Sequence, residues 1–157
     1  KITESINMLD QYRIEEGNSI EADLKKCIGN ILSMLQTVGT FEQGRIIKVR
    51  EKLLSLLEEN VGRENIDKNR FEQELIFYLE KFDINEKKVR LKTHCDYFLE
   101  TIATPSPNGK ILNFITQEIG REINTIGSKA NDASIQKLVV MMKDDLEKIK
   151  EQTMNIL

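Results

Sequence analysis

The chain has 157 residues, with 23 Lys and Arg against 26 Asp and Glu, a formal net charge of −3. That length fits one domain, or one domain with part of another, and can bury a core without disulfide or metal staples. With 2 Pro, 8 Gly and no Trp, the composition excludes collagen-like and Pro/Gly-rich disordered chains and argues against an all-β sandwich. No apolar run approaches the roughly 18 residues that a membrane span needs. A pI of about 5.4 argues mildly against nucleic acid, whose binding domains usually show a basic excess. The chain begins at Lys1 without a signal pattern, which suggests a processed product or a fragment, and the charge of a fragment is not that of the whole protein.

Almost every stretch reads as helix. Ile2 to Ile14 carries apolar residues at 2, 6 and 9 that need something to pack on. Ile20 to Val38 has apolar residues at 20, 24, 27, 28, 31, 32, 35 and 38, the spacing of a helical stripe. Phe41 to Val61 repeats the pattern at 46, 49, 53, 56 and 57. Gly39 and Gly44 mark a break between these two segments, so the expectation over residues 1–62 is a long antiparallel helical hairpin, with one bent helix as the other option. Gly62 to Asn65 reads as a turn, and Asp67 as the N-cap of a helix through Phe71, Leu75, Tyr78 and Leu79. Phe82-Asp83 interrupts it, and residues 84–102 form another amphipathic helix. Residues 104–109 (Thr-Pro-Ser-Pro-Asn-Gly) are the clearest linker. A helix is expected from Lys110 to Ile126 with Gly127 as its C′ residue. The last helix, capped by Asp132 or Asn131, runs through Ile135, Leu138, Val139, Met142, Leu146 and Ile149. The fold expected is all-α: a long hairpin arm over 1–62, then a smaller helical bundle over 63–157. Cys27 and Cys95 stand without neighbouring cysteines, as free thiols of a reducing cytoplasm.

Several polar residues do not fit plain amphipathic helices. On a wheel with Ile115 at zero, Ile111, Leu112, Ile119, Ile123 and Ile126 fall within about 80°, and Glu122 falls inside that stripe at about −20° with Glu118 at about −60°. Carboxylates are rarely buried unless paired or bound to a cation, and two at i, i+4 repel each other unless something positive sits between them. The partner is either an Arg or Lys, which is structural, or a divalent metal, which is functional. On the preceding helix Glu86, Arg90, His94 and Tyr97 share one stripe, and His94 is the only histidine. A lone helical histidine is commonly a packing residue, yet imidazole and carboxylates on consecutive helices suit Mn²⁺, Fe²⁺ or Zn²⁺, and a mostly carboxylate set suits Mg²⁺ or Mn²⁺. Gln117, Arg121 and Asn124, continued by Ser128 and Lys129, line a polar face. That face is either simply solvated or engages phosphate through Arg and Lys and base edges through Asn and Gln.

The run Gln117-Glu118-Ile119-Gly120-Arg121-Glu122-Ile123-Asn124-Thr125-Ile126-Gly127-Ser128-Lys129-Ala130-Asn131-Asp132 resembles the signature of the YicC/YloC family of bacterial proteins. Asp83-Ile84 with Glu86, and Arg90-Leu91 with His94, resemble its second motif. Gln73-Glu74, Lys81, Arg13 with Glu16-Gly17, and the terminal Glu151-Gln152 and Asn155-Ile156 match weaker positions. The chain departs from the pattern at Lys87, Asn113 and Gly120, where the family usually has an acid, an Asp and an Asn. The resemblance covers only the family's C-terminal helical region, without its N-terminal α+β domain.

What the resemblance implies is a cytoplasmic, metal-dependent endoribonuclease that hydrolyses RNA phosphodiester bonds and assembles as a ring-like homo-oligomer, a hexamer. On that basis Glu118, Glu122 and His94, with Glu86, would hold Mn²⁺ or Mg²⁺. Glu118, Glu122, His94 and Arg121 would be the catalytic group. Arg90, Gln117, Asn124, Ser128 and Lys129 would contact RNA or its phosphates. The isolated fragment can be inactive even so. The alternative is a helical oligomerisation module or RNA-binding adaptor without catalysis of its own, in which the polar stripes are buried ion pairs that set register.

Overall fold

In the computed structural model, which describes residues 1–105 and 108–156, the apolar stripes close around one core. The elements are α1 (Ile2–Val61), a single 3₁₀ turn (Arg63–Asn65), α2 (Lys68–Lys81), α3 (Asn85–Ile102), α4 (Gly109–Ala130) and α5 (Ala133–Met154). The described residues include no strand, and the chain is all-α as expected. Ser106 and Pro107, the centre of the expected linker, lie outside the described residues.

Four helices pack in a ring, α1 against α3, α3 against α4, α4 against α5, and α5 back against α1. Their directions alternate. Glu42 of α1 pairs with Lys88 at the start of α3, while Leu24 lies by Thr101 and Ile102 at its end. Asn30 of α1 donates to Asp145 of α5 at 3.4 Å. This is an up-down-up-down bundle, with α2 as an excursion between its first two members. The core gathers Leu24, Ile28, Ile31, Leu35 and Val38 of α1, Leu91, Cys95 and Phe98 of α3, Leu112, Ile115, Ile119, Ile123 and Ile126 of α4, and Ile135, Val139, Met142, Leu146 and Ile149 of α5. Burial pushes the Cys95 thiol up to about 12, so it stays protonated and acts as a small apolar core residue. Both cysteines are free.

The expected hairpin over 1–62 is instead one continuous helix, α1. Gly39 and Gly44 cost about 1 kcal/mol each relative to Ala, but no proline accompanies them, and tertiary contacts bracket both. Val38 is fully buried. One turn on, Glu42 pairs with Lys88, and Arg45 donates to the Phe82 carbonyl at the α2–α3 junction. The helix runs unbroken across its weak points. At about 1.5 Å per residue it is roughly 90 Å long. Its first turns, through Ser19, are exposed, its middle is core, and its last turns meet α2, where Arg50 pairs with Glu72. Residues on both sides of position 62 therefore share one core, so that position is not a packing boundary.

Gly127 is not a helix stop either. It is buried inside α4, where an added Cβ would sit 3.0 Å from Val139 Cγ1. Gly120 likewise leaves 3.2 Å to Leu146 Cδ2. Both let α4 and α5 approach closely. The stop is Asn131, at φ 46°, one of the few non-glycine residues that tolerate the left-handed region. Asp132 then caps α5 by accepting from the Ile135 amide, and Asp67 caps α2 through the Asn69 and Arg70 amides.

Two outcomes follow. Spin labels at Ser19 and Ser55, in a background lacking Cys27 and Cys95, should lie about 54 Å apart by pulsed electron resonance, whereas a hairpin would bring them close. Gly127→Leu should lower stability by about 1–3 kcal/mol through overpacking against Val139, read by urea denaturation.

Candidate functional site

Glu122 lies on the α4 stripe that must be buried, and it is only 4% exposed. Its Oε1 accepts from Arg90 Nε of α3 at 3.1 Å. Arg90 also reaches Glu86 one turn earlier, at 3.7 Å, so Glu86, Arg90 and Glu122 form a chain of charge from solvent into the seam. Glu118, one turn back along α4 and mostly buried, pairs with Arg121 at 2.9 Å. The Arg121 side chain is 73% exposed. The guanidinium partner is thus the one the structure supplies for each carboxylate.

Two buried polar atoms in the same helix pair have no hydrogen-bond partner, Glu122 Oε2 and His94 Nε2. Such orphans are uncommon, and an ordered water, an ion, strain or a catalytic role each accounts for some of them. The Arg90–Glu122 contact sets the register of antiparallel α3 and α4. One turn on from Arg90 is His94, and one turn back from Glu122 is Glu118, so these stand at the same level. Among the described residues, no three His, Cys, Asp or Glu side chains are gathered closely enough to hold a metal ion by themselves. The donors fit a divalent ion only in part, as a buried carboxylate oxygen and an imidazole nitrogen left open.

The remaining expected residues lie outside this seam. Gln117, Asn124 and Ser128 are exposed, the Ser128 hydroxyl donates to the Thr125 carbonyl at 3.1 Å, and Lys129 is half-buried in the last turn of α4. With Arg121, the exposed Gln117, Asn124 and Ser128 make one outward ridge, while Lys129 falls at about −40° on the wheel, on the Glu118–Glu122 side. Lys110 and Phe114 belong to that ridge and were not read from the sequence as part of it. The signal was available, because Phe114 falls at about −100° on the wheel, on the polar side.

The profile of the family described as "Endoribonuclease YicC-like, C-terminal" matches residues 38–157. The chain is 34% identical over 156 residues to a protein of Clostridioides difficile (strain 630) named "Probable endoribonuclease YicC", covering 99% of this chain and 53% of that protein. It is 34% identical over 107 residues to a protein of the same name from Haemophilus influenzae, covering 68% of this chain and 37% of that one. The chain belongs to the YicC-like endoribonuclease family, and spans about half or less of the length of these relatives.

The seam makes a stability prediction independent of activity. Arg90→Ala leaves the Glu122 carboxylate buried without its cation and should cost about 1–3 kcal/mol. Arg90→Met combined with Glu122→Leu should recover most of that loss. Urea midpoints at constant slope would measure both, and equal loss in the single and double variants would contradict the pairing.

Proposed function

We propose that this chain carries the RNA-cleaving site of an endoribonuclease, at the α3–α4 seam. The observation that carries the proposal is the pair of open buried atoms, Glu122 Oε2 and His94 Nε2, beside two arginine side chains, Arg90 48% and Arg121 73% exposed. An RNA phosphate competes for Arg121 and Arg90 through bidentate contacts. Drawing Arg121 to phosphate releases Glu118, whose carboxylate can then take a proton from an attacking water. His94, one turn from Arg90 on α3, would offer its open nitrogen to the site. Arg90 orients Glu122. Gln117, Asn124 and Ser128 hold the strand along the outward ridge, and Lys129 holds it from the Glu118–Glu122 side.

A divalent ion, Mn²⁺ or Mg²⁺, would take the open Glu122 and His94 atoms, and Glu118 and Glu86 would have to draw nearer to join them, with water and phosphate supplying the rest of its shell. When bound it supplies Lewis-acid polarisation and a more acidic water. Cytoplasmic RNA is the substrate. No helix of the described residues is long and apolar enough to cross a membrane. In the full-length protein a homo-oligomer, a hexamer, would cover the bare apolar stripe of Ile2, Ile6 and Leu9.

One observation favours a second reading. Both carboxylates already have arginine partners, as expected of an assembly or adaptor module in which ion pairs set register.

In the full-length protein with Mn²⁺, Glu118→Gln and Glu122→Gln should each lower cleavage of labelled RNA by on the order of 100-fold or more, with helical circular dichroism retained. A chelator should stop the wild type. Undiminished metal-dependent cleavage by both variants would sink the site and favour the adaptor.

A further inference from the structure

The rim of the α3–α4 groove carries two exposed aromatic rings that neither the core nor the charged layer uses. Tyr97 of α3 is 49% exposed and Phe114 of α4 is 61% exposed. The register set by Arg90 and Glu122 places His94 level with Glu118, and one further turn places Tyr97 level with Phe114. The two rings therefore lie at one level on the outer edges of neighbouring helices, Tyr97 three positions after His94 on α3 and Phe114 four before Glu118 on α4. Along α4, Lys110 lies one turn before Phe114, while Gln117 and Arg121 lie one and two turns after it. All three are exposed. Ile111, which the wheel assigned to the buried stripe, is also exposed at this end of the groove.

A single exposed ring is ordinary on a protein surface, but two at one level beside a basic track offer a ligand two flat faces at once. Rings set between cations and amides, and not within a broad apolar patch, match a ligand with flat apolar faces on a charged backbone. Single-stranded RNA has that chemistry. Proteins that hold it combine a basic track with aromatic rings on which successive bases stack. We propose that Tyr97 and Phe114 form a base-stacking platform for single-stranded RNA, which seats the strand so that its phosphates reach Arg121 and Arg90. This rests on the nuclease reading above and adds to it the form of substrate: unpaired bases, because a base within a duplex cannot offer its face to a ring on the groove rim.

The test uses the full-length protein in chelator, so that no cutting occurs. It measures the affinity of a short fluorescent oligoadenylate and of an equally long ribose-phosphate chain without bases. Tyr97→Ala and Phe114→Ala should each weaken oligoadenylate binding on the order of 5- to 100-fold and leave the base-free chain unchanged. Phe114→Trp and Tyr97→Phe should keep wild-type affinity. Arg121→Ala should weaken both polymers alike. Both positions are exposed, so circular dichroism should not change. The platform is overturned if the alanine variants bind oligoadenylate as the wild type does, lose both polymers equally, or change the oligomeric state by sedimentation without changing RNA affinity. Those results leave the nuclease reading intact as long as the wild type cuts RNA and the Glu118 and Glu122 variants do not.

Discussion

Burying the apolar stripe of α4 means burying Glu122. Leu112, Ile115, Ile119, Ile123 and Ile126 are each worth about 1.5–3 kcal/mol on leaving water, and together they outweigh the several kcal/mol that desolvating one carboxylate costs. The stripe therefore goes in and takes the charge with it. Arg90 then has to come from α3 to meet that charge, and this contact fixes how α3 and α4 slide against each other. A slip of one turn would face Glu122 with Glu86 or His94 instead of a guanidinium. The level of His94 with Glu118, and of Tyr97 with Phe114, follows from the same pairing.

The second constraint is the continuity of α1. Its middle is one wall of the bundle, its end carries the contacts with α2, and its beginning leaves the bundle altogether. Arg45 is buried at the junction, donating to the Phe82 carbonyl with its other terminal nitrogen unpartnered. With the Glu42–Lys88 pair, it ties the helix to the start of α3 immediately beyond the core. One continuous helix thus runs from the exposed first turns to contacts beside α3, which carries half the seam. The glycines that face α5 do a related job on the other side. Gly120 and Gly127 let α4 and α5 approach closely, which holds α4 in place while its opposite edge faces α3.

Much of this was legible beforehand for particular reasons. The caps at Asp67 and Asp132 could be read because a short acceptor side chain before an apolar run has one use. The oddity of Glu118 and Glu122 could be read because a wheel needs only the helical period. The Arg121–Glu118 pair was within reach, lying at i, i+3 on one helix. The partner of Glu122 was not, because it comes from another helix and sequence spacing says nothing about which stripes meet. The break at Gly39 and Gly44 was misread for the same reason. A glycine signals lowered helix propensity, but whether the helix bends depends on contacts at Val38, Glu42 and Arg45 with residues far along the chain. Gly127 looked like a C′ residue because its local cost is the same at a helix end as in a tight helix crossing, and only the position of Val139 separates the two.

The amino-acid sequence by itself determined that the chain is helical, where most of its helices begin, which stripes seek the core, and that α4 carries carboxylates where none should lie unaccompanied. Those are properties of single segments, set by period, propensity and capping. The tertiary structure alone decided that the first sixty residues form one rod and not a hairpin. It also gave Glu122 to Arg90, left Glu122 Oε2 and His94 Nε2 without partners, and set Tyr97 level with Phe114. Each of those depends on the register between helices, and register comes from side chains of different segments packing at once.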